Sequence, residues 1–384
     1  MTKREDFLVE IHTEELPPKA LIKLGEAFRD HLREKLEKIN LAFADVVYFA
    51  TPRRLAVLVK SLEAVQPDQV IERKGPALAA AYDAAGKPTK ACEGFAASCG
   101  VTVNDLITIK NQQGEFVGYK QAVQGKSVFM LLPALVEQAV NALPVPKRMR
   151  WSDGDVQFSR PIHSVIMLYG DQVVPAHILG FPTGRATRGH RFHAPAWLDI
   201  PSASEYVAIM EKIGHVKVDF AERRKMIVEQ VDACIAALKK TGATWFKQNE
   251  ALLDEVTGLV EWPTAVCGQY DESFLTVPRE VLMAAMEDHQ RYFAVVGSDG
   301  ALLPYFVTIS NIKSRDESRL IHGNERVLRA RLSDAAFFYH ADKKQTLASR
   351  IDALKDIVYQ AKLGTLYDKA ERVSQIAAYI AKQI

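Results

Sequence analysis

The apolar positions change period several times before residue 64. Phe7, Leu8, Val9 and Ile11 crowd around Glu10 in a run that reads as a β-strand, and Thr13 to Pro18 reads as the turn after it. Pro17 and Pro18 suit only the first turn of a helix, so a helix is expected from Lys19 onward. Leu21, Leu24, Phe28, Leu32 and Leu36 then recur at helical spacing towards Lys38. The β-rich runs Val46–Ala50 and Leu55–Val59 are joined by Thr51-Pro52-Arg53-Arg54, a connection short enough for a hairpin. The spacing predicts a β-α-β-β unit.

Farther along, the pattern is less regular. Turn signals at Lys74-Gly75-Pro76 and Gly86-Lys87-Pro88-Thr89 precede a short helix expected over Lys90–Ala97, and Val117–Val123 is compatible with a strand. Ser127–Ala142 reads as a helix with Phe129, Leu132, Leu135 and Val136 on one face, stopped by Pro144 and Pro146. A β-rich stretch from Val156 to about Pro201 leads into helices over Ser204–Gly214 and Phe220–Thr241, the second with Asp219 as N-cap. Leu253–Ile312 repeats the outline of the first unit: a strand at Ala265–Cys267, a helix from about Pro278, and strands at Tyr292–Val296 and Tyr305–Ile309. Few residues match between the two. From about Asn324 the pattern is all helical, and its last helix carries Val373, Ile376, Ala377, Ile380 and Ile384 on one stripe with no closing Gly, Asn or Pro. Either that stripe docks on the preceding helix, or the chain is a fragment of a longer one. The resulting fold class is α+β and multi-domain, divided as 1–64, 65–201, 202–315 and 316–384.

Composition narrows the classes. The 384 residues hold 48% hydrophobic and 25% charged positions, which excludes wholesale disorder. No apolar run approaches the ~18–20 residues of a membrane span, and no apolar leader follows Met1–Asp6. Cys92, Cys99, Cys234 and Cys267 form no C-x-x-C pair, so thiols in a reducing cytoplasm are expected, with neither a metal site nor a disulfide. With 49 Lys+Arg against 47 Asp+Glu, a polyanionic partner has to be met by local clusters of cations.

Catalytic templates are missing. Gly125-Lys126-Ser127 lacks the earlier glycine of a phosphate-cradling loop, because Lys120 stands there. There is no G-x-G-x-x-G after a strand, no G-x-S-x-G, no H-E-x-x-H and no His-Asp dipeptide. The carboxylate pairs Glu14-Glu15 and Asp254-Glu255 suit acid/base chemistry, or the stabilisation of a helix start. Basic and aromatic strings remain: Pro146-Lys147-Arg148-Met149-Arg150-Trp151, Gly184 to His193 with Arg185, Arg188, His190, Arg191 and Phe192, and turns holding Arg53, Arg54 and Arg160. Guanidinium forks suit phosphate oxygens and aromatic rings suit unstacked bases, so these are the parts of an RNA-backbone surface. The same arginines are also placed to pair internally, Arg150 with Asp153 for instance. His163, inside an apolar run, reads as a core histidine.

Ordered strings along the whole chain carry a resemblance. Phe7–Pro18, Phe49–Leu55, Gly86–Thr89 with Glu93–Phe95, Pro146–Trp151, Phe158–His163 and Thr187–His193 resemble the beta subunit of bacterial heterotetrameric glycyl-tRNA synthetase. So do Asp254–Val256, Val260–Pro263, Met286–Phe293, Ser310-Asn311, Gly323–Val327 and Ala330–Ala335. The resemblance implies the tRNA-handling chain of an α2β2 ligase in the cytoplasm. Glycine would be activated with ATP and magnesium on the alpha subunit, and no catalytic residue or cofactor is expected in this chain. It further implies an N-terminal B3/B4-like part, by analogy with phenylalanyl-tRNA synthetase, and the start of an HD-like helical domain. The expected tRNA(Gly) contacts are Arg53, Arg54, Lys147, Arg148, Arg150, Arg185, Arg188 and Arg191 for phosphates, with Trp151, His190 and Phe192 for stacking or shape. Two other readings stay open: an assembly scaffold for the alpha subunit whose basic strings pair internally, and an editing-type hydrolase.

Overall fold

The computed structural model describes residues 3–83, 86–111, 114–240, 242–245 and 249–384. These divide into two compact units, residues 1–223 with 257–262, and residues 224–256 with 263–384.

The first unit is built on β1 (Arg4–Thr13), α1 (Leu21–Lys38), β2 (Asp45–Thr51) and β3 (Arg54–Glu63). β1 lies antiparallel to β3, and β3 antiparallel to β2, which confirms the β-α-β-β reading. The apolar stripe of α1 is buried as its spacing predicted. Gly25 interrupts that stripe because the Tyr48 ring occupies its side-chain space: a Cβ there would lie 2.3 Å from the ring. A second helix, α2 (Val128–Asn141), starts at Ser127, whose side chain accepts the Phe129 N–H. Strand β4 (Ile162–Tyr169) pairs antiparallel to the other edge of β1. The seven-stranded sheet is completed by short strands at 172–173, 177–178 and 181–184, the last parallel to β4.

Alternate side chains of a strand point to opposite faces. Phe7, Val9 and Ile11 enter a core with α1 and α2, whereas Leu8 enters a second core with Ala56, Leu58, Ile166, Tyr206 and Met210. Glu10 and His12 follow Leu8 onto that second, covered face. This places two polar groups of β1 in the interior. A separate three-stranded sheet joins residues 69–77, 114–123 and 107–111, accompanied by the helix Lys90–Cys99 that the turn signals predicted. Downstream, Asp219 accepts the Glu222 N–H at the start of the helix Phe220–Ala237; the expected end at Thr241 lies outside the described residues.

In the second unit, β5 (Thr264–Gln269), α3 (Arg279–Met283) with a π-helical turn at Ala284–His289, β6 (Phe293–Val296) and β7 (Leu302–Ser310) follow in sequence. β5 pairs antiparallel with β7 and β7 with β6, the same strand order as β1, β3 and β2. The repeated outline therefore holds at the level of topology. Beyond it run α4 (Glu317–Asp342) and α5 (Leu366–Ala381). The all-helical expectation needs correction here, because Val358–Gln360 and Gly364–Thr365 pair as a small ribbon between them. No residue of α5 is buried, and Val373, Ile376 and Ile380 face solvent.

Candidate nucleic-acid interface

The hairpin between β2 and β3 separates two adjacent arginines. Its two central residues are Pro52 and Arg53, so Arg54 is the first residue of β3 and stands opposite His12 of β1. Arg54 is fully buried. Its Nε donates to Glu261 Oε1 at 3.1 Å, and its Nη1 to Glu10 Oε2 at 3.4 Å and to the Arg188 carbonyl at 3.1 Å. Thr51 donates to the same Glu261 oxygen at 2.7 Å, and the Thr187 and Tyr206 hydroxyls donate to Glu10. The expected phosphate contact at Arg54 gives way to an internal ion lattice, because its strand direction sends it under the second face of the sheet.

The charges in this lattice hold one another. Burial works against the Arg54 cation, but Glu261 and Glu10 outweigh it and raise the guanidinium above its ordinary value. Burial likewise opposes the Glu261 carboxylate, and Arg54 with the Thr51 hydrogen bond nevertheless brings it below the usual range. Arg223 donates to main-chain carbonyls, among them Ala50 at 2.7 Å and Thr257 at 3.1 Å, and burial lowers it to about 10. His12 lies beside the lattice with neither ring nitrogen hydrogen-bonded, and burial together with Arg54 and Arg53 lowers it to about 2.

Above the buried layer sits a carboxylate pair. Glu14 accepts from Arg191 Nη2 at 2.7 Å and His163 Nε2 at 2.9 Å, with Arg53 Nη2 at 3.5 Å; Glu15 lies 3.3 Å from Arg191 Nη1. Burial opposes the Glu14 charge, and the hydrogen bond from His163 with Arg53 and Arg191 lowers its pKa all the same. Two expectations change. Glu14 and Glu15 act on arginines, with no acidic residue in the first turn of α1. His163 is exposed and bonded to Glu14, because it stands near the start of β4, at the sheet's end.

The other expected contacts fall in two places. Arg188 is exposed with its guanidinium 4.6 Å over the Trp197 ring, and Phe192 is 72% exposed. Arg185 is half-buried, donating to the carbonyls of Asp171 and Pro201. His190 is buried, and its Nδ1 accepts the N–H groups of Phe192 and His193, each at 3.2 Å, so it shapes the loop from inside. Gly189 packs against the chain itself rather than a ligand: a Cβ would lie 2.6 Å from the Gly214 carbonyl oxygen. Elsewhere, Lys147, Arg148 and Arg150 are all exposed. Arg148 donates to the Asn141 carbonyl at 3.0 Å, and Arg150 pairs with Asp155 at 3.3 Å rather than with Asp153. Trp151 is half-buried against the core of α1 and α2. The arginines of the two places share no hydrogen bond or ion pair among the described residues.

Sequence reasoning misses the partners of Arg54. In sequence Glu10 reads only as part of a strand and Glu261 only as part of Val260–Pro263, and a carboxylate inside a strand's apolar run is the available signal. Among the described residues no three His, Cys, Asp or Glu side chains gather as a metal site, and no helix is long and apolar enough to cross a membrane. The arrangement offers exposed cations and rings on a frame held by buried charge.

A family model described as glycyl-tRNA synthetase beta subunit matches residues 7–384. The chain is similar to the glycine–tRNA ligase beta subunit of Hahella chejuensis, 50% identical over 380 residues, covering 99% of this chain and 54% of that protein. Against the Chromohalobacter salexigens counterpart it is 51% identical over 378 residues, covering 98% and 54%, and against the Edwardsiella ictaluri one 44% over 381 residues, covering 99% and 55%. The chain spans about half the length of these curated relatives.

Proposed function

We propose that this chain, which belongs to the glycyl-tRNA synthetase beta subunit family, holds tRNA(Gly) for glycylation on a separate alpha subunit. The observation that carries the reading is the match across residues 7–384 to proteins of that name. The two subunits assemble as α2β2 in the cytoplasm, and the alpha subunit activates glycine with ATP and magnesium. The beta chain's share is positional: holding the tRNA's terminal ribose at the adenylate turns a bimolecular encounter into an oriented one. The first unit is the B3/B4-like part, and the chain from residue 316 opens an HD-like domain.

Lys147, Arg148, Arg150, Arg188 and Arg191 are the exposed cations of the expected contact set, and their charges suit phosphate oxygens. Arg54 is left out, being sealed between Glu10 and Glu261. A scaffold reading draws on that same lattice and on the Glu14–Glu15 pairing of Arg53 and Arg191. Titration of the chain with tRNA at rising salt separates them. Phosphate contact makes log K fall linearly with log[salt], and Arg148→Ala and Arg188→Ala each flatten the slope by roughly 0.7–0.9. An affinity indifferent to salt and to both substitutions favours the scaffold.

A further inference from the structure

We propose that a cavity beside the Lys147–Arg150 string binds an unstacked nucleobase, with guanine preferred over the other three. The inference rests on the RNA reading above and deepens it. The cavity holds about 350 Å³, at the lower end of the roughly 300–1,000 Å³ typical of small-ligand pockets. It lies where the last turn of α2 meets residues 155–157 and the turn at 177–180. Leu179 and Gly180 both take left-handed backbone conformations, φ +50° and +82°, and a Cβ on Gly180 would close to 3.1 Å from Val156.

Val156, Ile178 and Leu179 give the cavity apolar walls, and Glu137, Arg148 and His177 give it polar groups. Arg148 is ordered in advance by the carbonyls of Asn141 at 3.0 Å and Gln157 at 3.5 Å, so a ligand does not have to immobilise it. Two of its five N–H groups serve those bonds, and three remain. Asp155 is engaged by Arg150, whereas Glu137 has no ion pair among the described residues. The negative end of a helix and a free carboxylate disfavour a phosphate inside the cavity. They favour a ligand edge with N–H donors, while phosphates sit outside at Lys147, Arg150 and an N–H of Arg148 that the base leaves over. RNA-binding proteins commonly take up single-stranded bases splayed from the stack.

Guanine fits this donor set best. Its N1–H and N2–H groups lie side by side and match both oxygens of one carboxylate. Its O6 and N7 are the acceptors that arginine reads in pairs. Adenine and cytosine place an acceptor beside their single amino group, and uracil has one N–H between two carbonyls.

The test titrates the chain at low salt with labelled nine-nucleotide oligouridines that carry guanosine, inosine, adenosine or uridine at the centre. The expected result is at least fivefold tighter binding of the guanosine strand than of the uridine strand, with inosine between, because it lacks the N2 amine. Glu137→Gln, on the exposed end of α2, and Val156→Trp, which fills the cavity, each abolish the preference without changing the salt slope. Salt-dependent binding with equal affinity for all four strands overturns the pocket and leaves the RNA reading standing. So does a guanine preference that survives both substitutions, and a cavity that serves a lysine or arginine of a protein partner gives the same base-blind result. Binding of no strand, with or without guanosine, together with salt-independent tRNA affinity, removes the RNA reading and the pocket with it.

Discussion

Replacing Arg54 with methionine tests the buried lattice most directly. Methionine keeps much of the side-chain length and deletes the charge, so Glu10 and Glu261, with side chains 0% and 2% exposed, lose the cation between them. Breaking one partner out of a buried pair costs roughly 3–5 kcal/mol, because the remaining charge is neither hydrated nor neutralised. Here two carboxylates are stranded at once. Arg223 also bears electrostatically on Glu261, which limits the loss to that range. The equilibrium constant for unfolding the first unit rises about 100- to 4,000-fold, at 1.4 kcal/mol per tenfold. Urea unfolding followed by far-UV circular dichroism and tryptophan fluorescence reads it. The pH dependence has a definite sign. In the parent chain Glu261 is held below its ordinary 4.5, so its stabilisation is present above that value and is lost as pH falls through the lower folded value. In Arg54→Met the stranded Glu261 carboxylate protonates at higher pH, so the gap between variant and parent narrows from pH 7.5 to pH 5. Adding Glu10→Gln and Glu261→Gln recovers more than half the loss. A cost under about 1 kcal/mol, or a cost constant with pH and unrelieved in the triple variant, would refute the reasoning.

Other outcomes follow from the same geometry. His12 is lowered to about 2 against an ordinary 6.5, so the unfolded chain takes up a proton that the folded chain refuses, and stability drops as pH falls below 6.5. His12→Asn removes a penalty of about 2 kcal/mol at pH 5, seen as a flatter acid limb in a series of unfolding midpoints. Gly189→Ala forces a Cβ to 2.6 Å from the Gly214 oxygen and lowers stability by about 1–3 kcal/mol, measured by thermal unfolding. Under the proposed tRNA-holding role, Glu14→Gln releases Arg191 from its 2.7 Å partner, so tRNA affinity rises and its salt slope steepens by about 0.7–0.9; an unchanged slope argues against Arg191 as a phosphate contact.

The elements were legible because local pattern dictates them. The stripe from Leu21 to Leu36, the Pro17-Pro18 turn and the short link between Val46–Ala50 and Leu55–Val59 each state a periodicity that one backbone geometry satisfies. The repeated β-α-β-β order was visible for the same reason, although few residues match. The ribbon at 358–365 was not, since its two short strands are bound by no alternation long enough to read.

Charge was legible only as inventory. Arg53 and Arg54 are neighbours in the chain, yet one stands at a turn beside Glu14 and the other lies in the interior between carboxylates 44 and 207 residues away. Which of two adjacent arginines meets water depends on strand direction and on what covers the sheet, and both are set by distant segments. The same dependence turned His163 outward and His190 inward. A chain's periodicity is a local property and survives reading one residue after another. The fate of an ionisable group is decided by the dielectric and the partners around it, and those exist only after the segments have packed.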